Sequence, residues 1–230
     1  HPSELDFDGT KIAIDSPADY SAQNIRIESG YYLFDLHTPN GIISDFKFMM
    51  PGKHNLMNAV TALTMALKAG VSESLLLRAL PRFEGVDRRF SIRYKSNERV
   101  IIEDYAHHPT ELRALYNAAK TMYKTEKIAL VFQPHLYSRT RDFAKEFAES
   151  LSLFDALLLL DIYPAREEPI KGVNSQWILD QVTIANKKLV SKEELFNEVK
   201  NSKAKVVLMA GAGDITKEVQ NLVKLMEYEK

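Results

Sequence analysis

An apolar run gives way to polar sequence and then to a helical pattern in Val-Ile-Ile-Glu-Asp-Tyr-Ala-His-His-Pro-Thr, residues 100–110. The apolar part predicts a buried strand, and the proline suits the first position of a helix. In α/β proteins, ligands bind at the carboxyl ends of strands. This strand end carries a carboxylate, a phenol and two imidazoles, and packing alone does not require so many reactive polar groups. It therefore predicts a ligand site that includes Asp104, Tyr105 and His107, with His108 as the more structural histidine.

Three further apolar runs, at 128–132, 156–161 and 206–210, alternate with amphipathic helical patterns. A series of this kind predicts an α/β fold with a doubly wound, mostly parallel, Rossmann-like sheet. Because the carboxyl ends of parallel strands share one edge, the polar segments after the strands are expected to meet in one cleft. These segments are 104–108, 133–139, 161–168 and 211–214.

The first part of the chain has a different pattern. Two strand-like runs, 31–37 and 42–50, flank Thr-Pro-Asn-Gly, whose Asn-Gly pair is a strong hairpin signal. A helical pattern follows from 55 to 68, and residues 83–90 have the character of a linker. The sequence therefore predicts an α/β segment over 1–90 and a larger α/β domain over 91–230.

Composition limits the classes of partner. The 230 residues carry a net charge of −1, so nothing indicates nucleic-acid or membrane binding through bulk charge. The longest apolar stretch, 156–160, is far below the roughly 20 residues of a membrane span. The absence of cysteine excludes disulfide and thiolate chemistry and fits a reducing cytoplasm. We expect a cytoplasmic protein with small-molecule partners.

Two of the predicted strand ends allow alternative interpretations. Asp104, His107 and His108 could bind zinc, but the histidines lack His-x-x-x-His spacing, and a phosphate or acyl-phosphate site is more natural. A capped, hydrogen-bonded turn is the structural alternative. Arg139 lies near the start of a predicted helix, where its charge opposes the helix dipole. It therefore suggests a guanidinium that faces a ligand carboxylate, the alternative being an ordinary surface arginine.

Other candidates are less specific. Asn55 is either a helix cap or, with Asn58, an amide that reads an adenine edge. The adjacent Arg88 and Arg89 are either a solvated pair or a phosphate clamp in the linker. The turn at Gly211 either closes tightly or lets the backbone approach a ligand. The sequence contains no Gly-x-x-x-x-Gly-Lys-[Ser/Thr] phosphate loop.

Six motifs occur in order along the chain. They are Pro51-Gly52-Lys53-His54-Asn55 with Asn58-Ala59, Gly85-Val86-Asp87-Arg88-Arg89-Phe90, Asp104-Tyr105-Ala106-His107-His108-Pro109-Thr110-Glu111, Phe132-Gln133-Pro134-His135 with Tyr137-Ser138-Arg139-Thr140, Asp161-Ile162-Tyr163-Pro164-Ala165-Arg166-Glu167, and Gly211-Ala212-Gly213-Asp214-Ile215. Together they resemble the carboxyl-terminal part of a Mur ligase, and most of all the alanine-adding branch of that family. One departure is Leu136, which stands where many members carry arginine.

The resemblance implies an ATP-dependent amide-bond ligase of peptidoglycan synthesis. ATP would phosphorylate the carboxylate of UDP-N-acetylmuramate, and L-alanine would then displace phosphate, with Mg²⁺ assisting. Residues 1–90 would be the end of the ATP-binding central domain, and 91–230 the carboxyl-terminal ligase domain. On this reading the amino-terminal domain and the phosphate loop, with the main magnesium ligands, are missing, and the chain alone is expected to be inactive.

The resemblance also implies roles for residues on the nucleotide side. Asn55 and Asn58 would read adenine, Arg89 would reach the phosphates, and Asp104 would hold the ribose.

On the acceptor side, the resemblance implies that His107 faces the γ-phosphate and the acyl phosphate. Arg139 would take the amino-acid carboxylate beside His135, and Tyr105 and Gly211 would line the same end. His107 and Arg139 are thus the expected catalytic residues. The alternatives are a non-catalytic adenine-nucleotide-binding module, a murein peptide ligase and, least favoured, a metal hydrolase.

Overall fold

The computed structural model describes residues 9–28, 31–83 and 85–228. The chain forms two compact units that divide after Gly85, within the predicted linker. Among the described residues, no helix has both the length and the apolar character needed to cross a bilayer.

Over its described residues, the first unit is a four-stranded sheet with two helices. The strands, in spatial order, are β1 (Ile12–Ile14), β2 (Tyr20–Glu28), β3 (Tyr31–Thr38) and β4 (Gly41–Phe48). β1 runs parallel to β2, and the other neighbours are antiparallel. The hairpin predicted at Asn-Gly is present, with Thr38 paired to Gly41. The Thr38 hydroxyl stabilises it by accepting from Asn40 N at 3.1 Å.

The helices of this unit are α1 (Lys53–Lys68) and α2 (Glu73–Ala79), followed by a 3₁₀ turn at Leu80–Arg82. α1 begins after Pro51-Gly52, where the φ of +100° at Gly52 suits glycine. Its apolar face carries Leu56, Val60 and Leu63 into a core shared with the strands. Periodic burial at helical spacing therefore explains why this segment is a helix.

The second unit is a six-stranded sheet in the order β5-β6-β10-β7-β8-β9. Its strands are β5 (Ser91–Lys95), β6 (Val100–Asp104), β7 (Ile128–Phe132), β8 (Ala156–Leu159), β9 (Lys187–Leu189) and β10 (Val206–Ala210). All neighbours are parallel except the edge strand β5, which is antiparallel to β6. The α/β fold class and the mostly parallel sheet are confirmed.

Helices cover both faces of this sheet. They are α3 (Pro109–Met122), α4 (Tyr137–Asp142), α5 (Ala144–Leu151), α6 (Ser175–Gln181), α7 (Leu195–Asn201) and α8 (Ile215–Tyr228). Side chains of α3, α5 and α6 share one core with alternate strand residues, and those of α7 and α8 share another. Because both faces are buried, β6, β7 and β10 contain long apolar runs, which is why their positions are readable from sequence.

The strand register shows where the predicted ligand-binding edge of the sheet, which we call the ligand edge, lies. Ala210 at the end of β10 pairs with Asp104 on one side and with Phe132 on the other. The segments that follow β6, β10 and β7 therefore start side by side at one edge of the sheet. Since β10 lies between the other two, the 211–213 turn stands between the histidine-bearing segments.

Candidate active site

The Asp104 carboxylate ties a preceding turn to the end of β6. Its two oxygens accept from the backbone N–H groups of Phe90 and Ala106, each at 2.8 Å. Burial raises the pKa of this carboxyl above its ordinary value, against the opposing effect of the two hydrogen bonds. Each oxygen retains acceptor capacity for a further donor. The predicted contact with a ribose hydroxyl therefore remains a prediction.

The two adjacent histidines have different surroundings. His108 occupies the cap position before α3, and its ring packs 4.6 Å from that of Phe143. The Glu111 carboxylate completes a capping box by accepting from His108 N at 3.0 Å, and it also accepts from His107 N at 2.8 Å. His108 therefore has the structural position that the sequence predicts.

His107 belongs to a row of rings instead. Its ring centroid lies 5.2 Å from that of Tyr105 and 6.1 Å from that of His135. The His135 ring in turn stacks on Tyr163, with centroids 5.7 Å apart. This row brings the ends of three strands, β6, β7 and β8, into contact.

His135 is held as a hydrogen-bond acceptor. Arg139 Nη1 lies 3.3 Å from its Nδ1, and a guanidinium can only donate, so Nδ1 carries no proton in this arrangement. Burial, and then the positive charge of Arg139 and the neighbouring His107, lower the pKa of His135 below its ordinary value. The neutral imidazole, with its proton on Nε2, is therefore the favoured form at neutral pH.

Helix α4 presents Arg139 and is stabilised from another loop. Ser138 donates its backbone N–H at 3.0 Å, and also its hydroxyl, to the Glu167 carboxylate. These bonds lower the pKa of Glu167. Leu136 occupies the cap position of α4 and forms no side-chain cap bond. The role of Glu167 was missed, because nothing local indicates which loop residue reaches α4.

The 211–213 turn packs too closely for a side chain at either of its two glycines. A Cβ at Gly211 would lie 2.9 Å from the carbonyl oxygen of Gln133, and one at Gly213 would lie 2.6 Å from Cγ of Tyr163. The Gln133 side chain is buried and donates to Asp214 Oδ1 at 2.8 Å. The glycines thus allow close packing of this turn on β7, in agreement with the tight-turn alternative.

Arg88, rather than its neighbour, reaches into the site. Its Nη2 donates to the carbonyl of Gly211 at 2.6 Å, and its guanidinium lies 4.6 Å from the ring centroid of Tyr105. Arg89 is exposed, so its predicted contact with nucleotide phosphates stays a prediction. Sequence reasoning treated the two arginines as a pair and could not tell which one turns inward.

Beneath Arg88 lies a buried carboxylate that sequence reasoning missed. Glu103 is 0% exposed, and its Oε1 lies 3.2 Å from Arg88 Nε. Its hydrogen bonds come from Arg93 Nε at 2.7 Å and the Thr216 hydroxyl at 2.6 Å, whereas its contact with Arg88 Nε is an ion pair without a hydrogen bond. A polar residue inside an apolar strand is the only signal that could have marked it.

The two asparagines lie in the first unit. Asn55 is in the first turn of α1, and its amide donates to the carbonyl of Pro51 at 2.7 Å. The cap alternative for Asn55 is wrong, because Gly52 occupies the cap position. Asn58 is exposed on the next turn. Their predicted contact with adenine stays a prediction.

We call the residues gathered at the ligand edge the strand-tip cluster. They are Arg88, Tyr105, His107, His135, Arg139 and Tyr163. The structure therefore brings together His107, His135 and Arg139, as the sequence predicts. Two imidazoles and two guanidiniums can bind anions and can accept or donate protons. In residues 9–28, 31–83 and 85–228, no three His, Asp or Glu side chains are arranged to hold a metal ion.

Comparison with known proteins identifies the family. Residues 88–214 match the family model of the Mur ligase, glutamate ligase domain. The UDP-N-acetylmuramate–L-alanine ligase of Christiangramia forsetii is 52% identical over 225 residues, which are 98% of this chain and 50% of that protein. The corresponding ligase of Flavobacterium johnsoniae is 49% identical over 97% of this chain and 50% of its own length.

A solved structure supports the same family. UDP-N-acetylmuramate–alanine ligase from Thermotoga maritima matches with a TM-score of 0.77 and 26% identity, over 96% of this chain and 48% of that one. The chain spans about half the length of the relatives that it matches. Since the family model covers more than half of the chain, and the fold and the strand-tip cluster agree with it, this chain belongs to the Mur ligase family.

Proposed function

We propose that the protein acts in ATP-dependent amide-bond formation, joining L-alanine to UDP-N-acetylmuramate in peptidoglycan synthesis. The observation that carries the proposal is the contact between His135 and Arg139, with His107 beside them, at the ligand edge of the sheet. The names of the similar ligases supply the substrates. An amino acid offers a carboxylate and an amine close together, and this cluster offers a guanidinium and a neutral imidazole at similar spacing.

The reaction has two steps. In the first, a carboxylate oxygen of the muramate attacks the γ-phosphorus of ATP, the bond to the bridging oxygen breaks, and ADP leaves. In the second, the neutral amine of L-alanine attacks the acyl-phosphate carbon, and inorganic phosphate leaves with the bonding electron pair. The amine must first lose one proton as an ammonium and then lose another during amide formation. The protein therefore needs an anion site for the phosphoryl group, a second for the amino-acid carboxylate, and a route for protons.

The strand-tip cluster can supply these needs. Arg139 would bind the amino-acid carboxylate by paired N–H bonds. His135 favours the neutral form because its pKa is lowered. Once Arg139 turns to the substrate, the Nδ1 of His135 is free to accept a proton from the ammonium group. His107 would face the phosphoryl oxygens with its Nε2, because its Nδ1 donates to the carbonyl of Tyr105 at 2.9 Å, and Tyr105 and Gly211 would line the acceptor end. His107 and Arg139 are the proposed catalytic residues.

The nucleotide side is proposed by family resemblance. Asn55 and Asn58 would read adenine, Arg89 would contact the phosphates, and Asp104 would hold the ribose. Exposure of Asn58 and Arg89 leaves their side chains available for such contacts. Asn55 would have to exchange its bond to Pro51 for one to the base.

Magnesium, when bound, would neutralise charge on the phosphates of ATP. No arrangement of three carboxylate or imidazole groups that fits a metal ion occurs in the described ranges. No step of the proposed mechanism is therefore assigned to a magnesium site on these residues.

The domain assignment is also a proposal. Residues 1–90 would be the end of the ATP-binding central domain and 91–230 the ligase domain, and the match of the family model to residues 88–214 supports the second part. The proposed location is the cytoplasm, which the cysteine-free sequence suits.

The test measures phosphate release and amide product by the complete gene product with ATP, UDP-N-acetylmuramate and L-alanine. Turnover that requires all three substrates, and that falls roughly 100-fold or more in Arg139→Ala, supports the proposal. Turnover that is the same in Arg139→Ala and in the wild type contradicts it. The matched control is Arg141→Ala, because Arg141 is an exposed arginine on the same short helix.

The same experiment separates the alternatives. A murein peptide ligase would use a peptide in place of L-alanine. A nucleotide-binding module would bind ATP in a calorimeter but would neither bind the UDP-sugar nor release phosphate.

A further inference from the structure

We propose that Arg88 is a positioning residue for the amino-acid side of the site, and that the buried Glu103 holds it in place. Arg88 would fix the Tyr105 ring and the 211–213 turn in relation to each other. The inference rests on the proposed function for its kinetic consequence, but the geometry of Arg88 can be tested independently.

Arg88 bridges two segments that border the site. Its Nη2 donates to the carbonyl of Gly211 at 2.6 Å and is 3.5 Å from that of Gly213. The same guanidinium lies 4.6 Å from the ring centroid of Tyr105, within the range of a cation–π contact. Its own carbonyl accepts from Tyr105 N at 2.7 Å. One residue thus contacts both the phenol and the glycine turn.

The backbone of Arg88 indicates that this placement is enforced. Its φ is +59°, a left-handed conformation that is unfavourable for any residue other than glycine. Such a conformation persists only where surrounding contacts determine it. The neighbouring bonds from Phe90 to Asp104 and from Tyr105 to Arg88 provide that determination.

Glu103 holds the other end of the guanidinium by charge, in an ion pair rather than a hydrogen bond. A fully buried carboxylate is tolerated only where it is paired and hydrogen-bonded. Its partners Arg93 and Thr216 lie within 2.7 Å, and they leave Oε1 3.2 Å from Arg88 Nε. Because β5, β6 and α8 all contribute to this network, Glu103 has little freedom to move, and Arg88 is held with it.

A change at Arg88 is expected to affect His107 and His135 through the Tyr105 ring. Tyr105 is 44% exposed, so packing alone does not fix its ring. Its ring meets the ring of His107 edge-to-face, and His107 in turn neighbours His135. Loss of Arg88 should therefore loosen Tyr105 and the 211–213 turn while the sheet itself remains intact.

A matched control is available at the opposite end of the same strand. Arg99, just before β6, also donates its guanidinium to two backbone carbonyls, those of Val199 and Lys200. Arg99→Lys should therefore remove a comparable set of hydrogen bonds without affecting the strand-tip cluster.

In the complete gene product, we expect Arg88→Lys to raise KM for L-alanine roughly 10- to 100-fold, with a smaller change in kcat and an unchanged KM for ATP. Lysine retains the charge but cannot span a carbonyl and a ring face as guanidinium does. Glu103→Gln should change KM for L-alanine in the same direction. Arg99→Lys should leave both KM values unchanged. An unchanged KM for L-alanine in Arg88→Lys, or an equal rise in Arg99→Lys, would overturn the inference.

A second measurement separates this inference from the proposed function. In NMR spectra of the protein, the ring signals of Tyr105 and His107 should shift or broaden in Arg88→Lys and not in Arg99→Lys. If the wild type does not ligate L-alanine, the proposed function fails while these spectra still decide whether Arg88 positions the rings. Identical ring signals in wild type and Arg88→Lys would refute the positioning role.

Discussion

Gly213→Ala tests whether the ligand edge is as closely packed as its geometry indicates. The added methyl group would lie 2.6 Å from Cγ and 2.9 Å from Cβ of Tyr163, and 2.7 Å from Oε1 of Gln133. Carbon atoms in contact prefer separations of about 3.5–4.0 Å, so Tyr163 must move by roughly 1 Å. Overpacking of this kind costs about 1–3 kcal/mol of unfolding free energy. Because Tyr163 stacks on His135, the displacement should also open that imidazole to water.

Gly172→Ala is the matched control. Gly172 has a φ of +84° and no atom within 4 Å of its prospective Cβ, so alanine there introduces backbone strain without a steric clash. We expect a stability loss of about 1–2 kcal/mol from strain alone. The two variants should therefore have similar stability but different environments at His135.

The assay combines urea unfolding with histidine NMR. The sequence contains one tryptophan, Trp177, which lies in α6, so its fluorescence reports unfolding of the second unit. In Gly213→Ala, the pKa of His135 should rise toward its ordinary value, since burial is the main cause that lowers it. In Gly172→Ala it should stay as in the wild type. If Gly213→Ala has wild-type stability and an unchanged His135 pKa, the inference that this edge is closely packed is refuted.

Four further predictions concern single residues. Because the folded pKa of His135 lies below its ordinary value of 6.5, the unfolded chain binds more protons, and the wild type should lose stability relative to His135→Gln as the pH falls below about 6.5 in urea titrations. A stability difference between wild type and His135→Gln that stays constant with pH would contradict this. Arg139→Gln should raise the His135 pKa measured by NMR, because the positive charge of Arg139 lowers it. Glu111→Ala should cost about 1 kcal/mol in the same unfolding assay through loss of the capping box, whereas Glu111→Gln should cost less. Leu136→Gly should raise the free energy of unfolding by up to about 1 kcal/mol, because glycine relieves the strain of a φ of +75°. Leu136→Ala keeps this strain and should not raise the free energy of unfolding.

The central strands of the second unit could be predicted because burial on both faces makes them continuous apolar runs. β7 and β10 have the predicted bounds, β6 begins with the predicted apolar run at Val100, and β8 ends at Leu159, two residues early. The edge strands were missed. β5 has the sequence Ser-Ile-Arg-Tyr-Lys and β9 has the sequence Lys-Lys-Leu. Edge strands are often short and carry charges that discourage further pairing, so they lack the apolar run by which a central strand is predicted.

The site was predictable to the extent that it follows from topology. His107 and His135 follow different strands of one parallel sheet, so their proximity could be expected from the alternation of strands and helices. The inward turn of Arg88 could not, because it depends on a local φ of +59° rather than on residue type. Glu167 was equally hidden, since its bond to Ser138 joins positions 29 residues apart through loop geometry.

The strand order explains why so much of the site depends on the end of the chain. β10 is the last strand in sequence, yet it is inserted between β6 and β7 at the centre of the sheet. The turn that follows it carries Gly211, and the next residues place Asp214 against Gln133 and Thr216 against Glu103. These contacts join residues 81 and 113 positions apart, and such long-range contacts form only after the intervening loops have closed. Through Arg88, which bonds to Gly211 and pairs with Glu103, the strand-tip cluster therefore depends on the packing of β10 and α8.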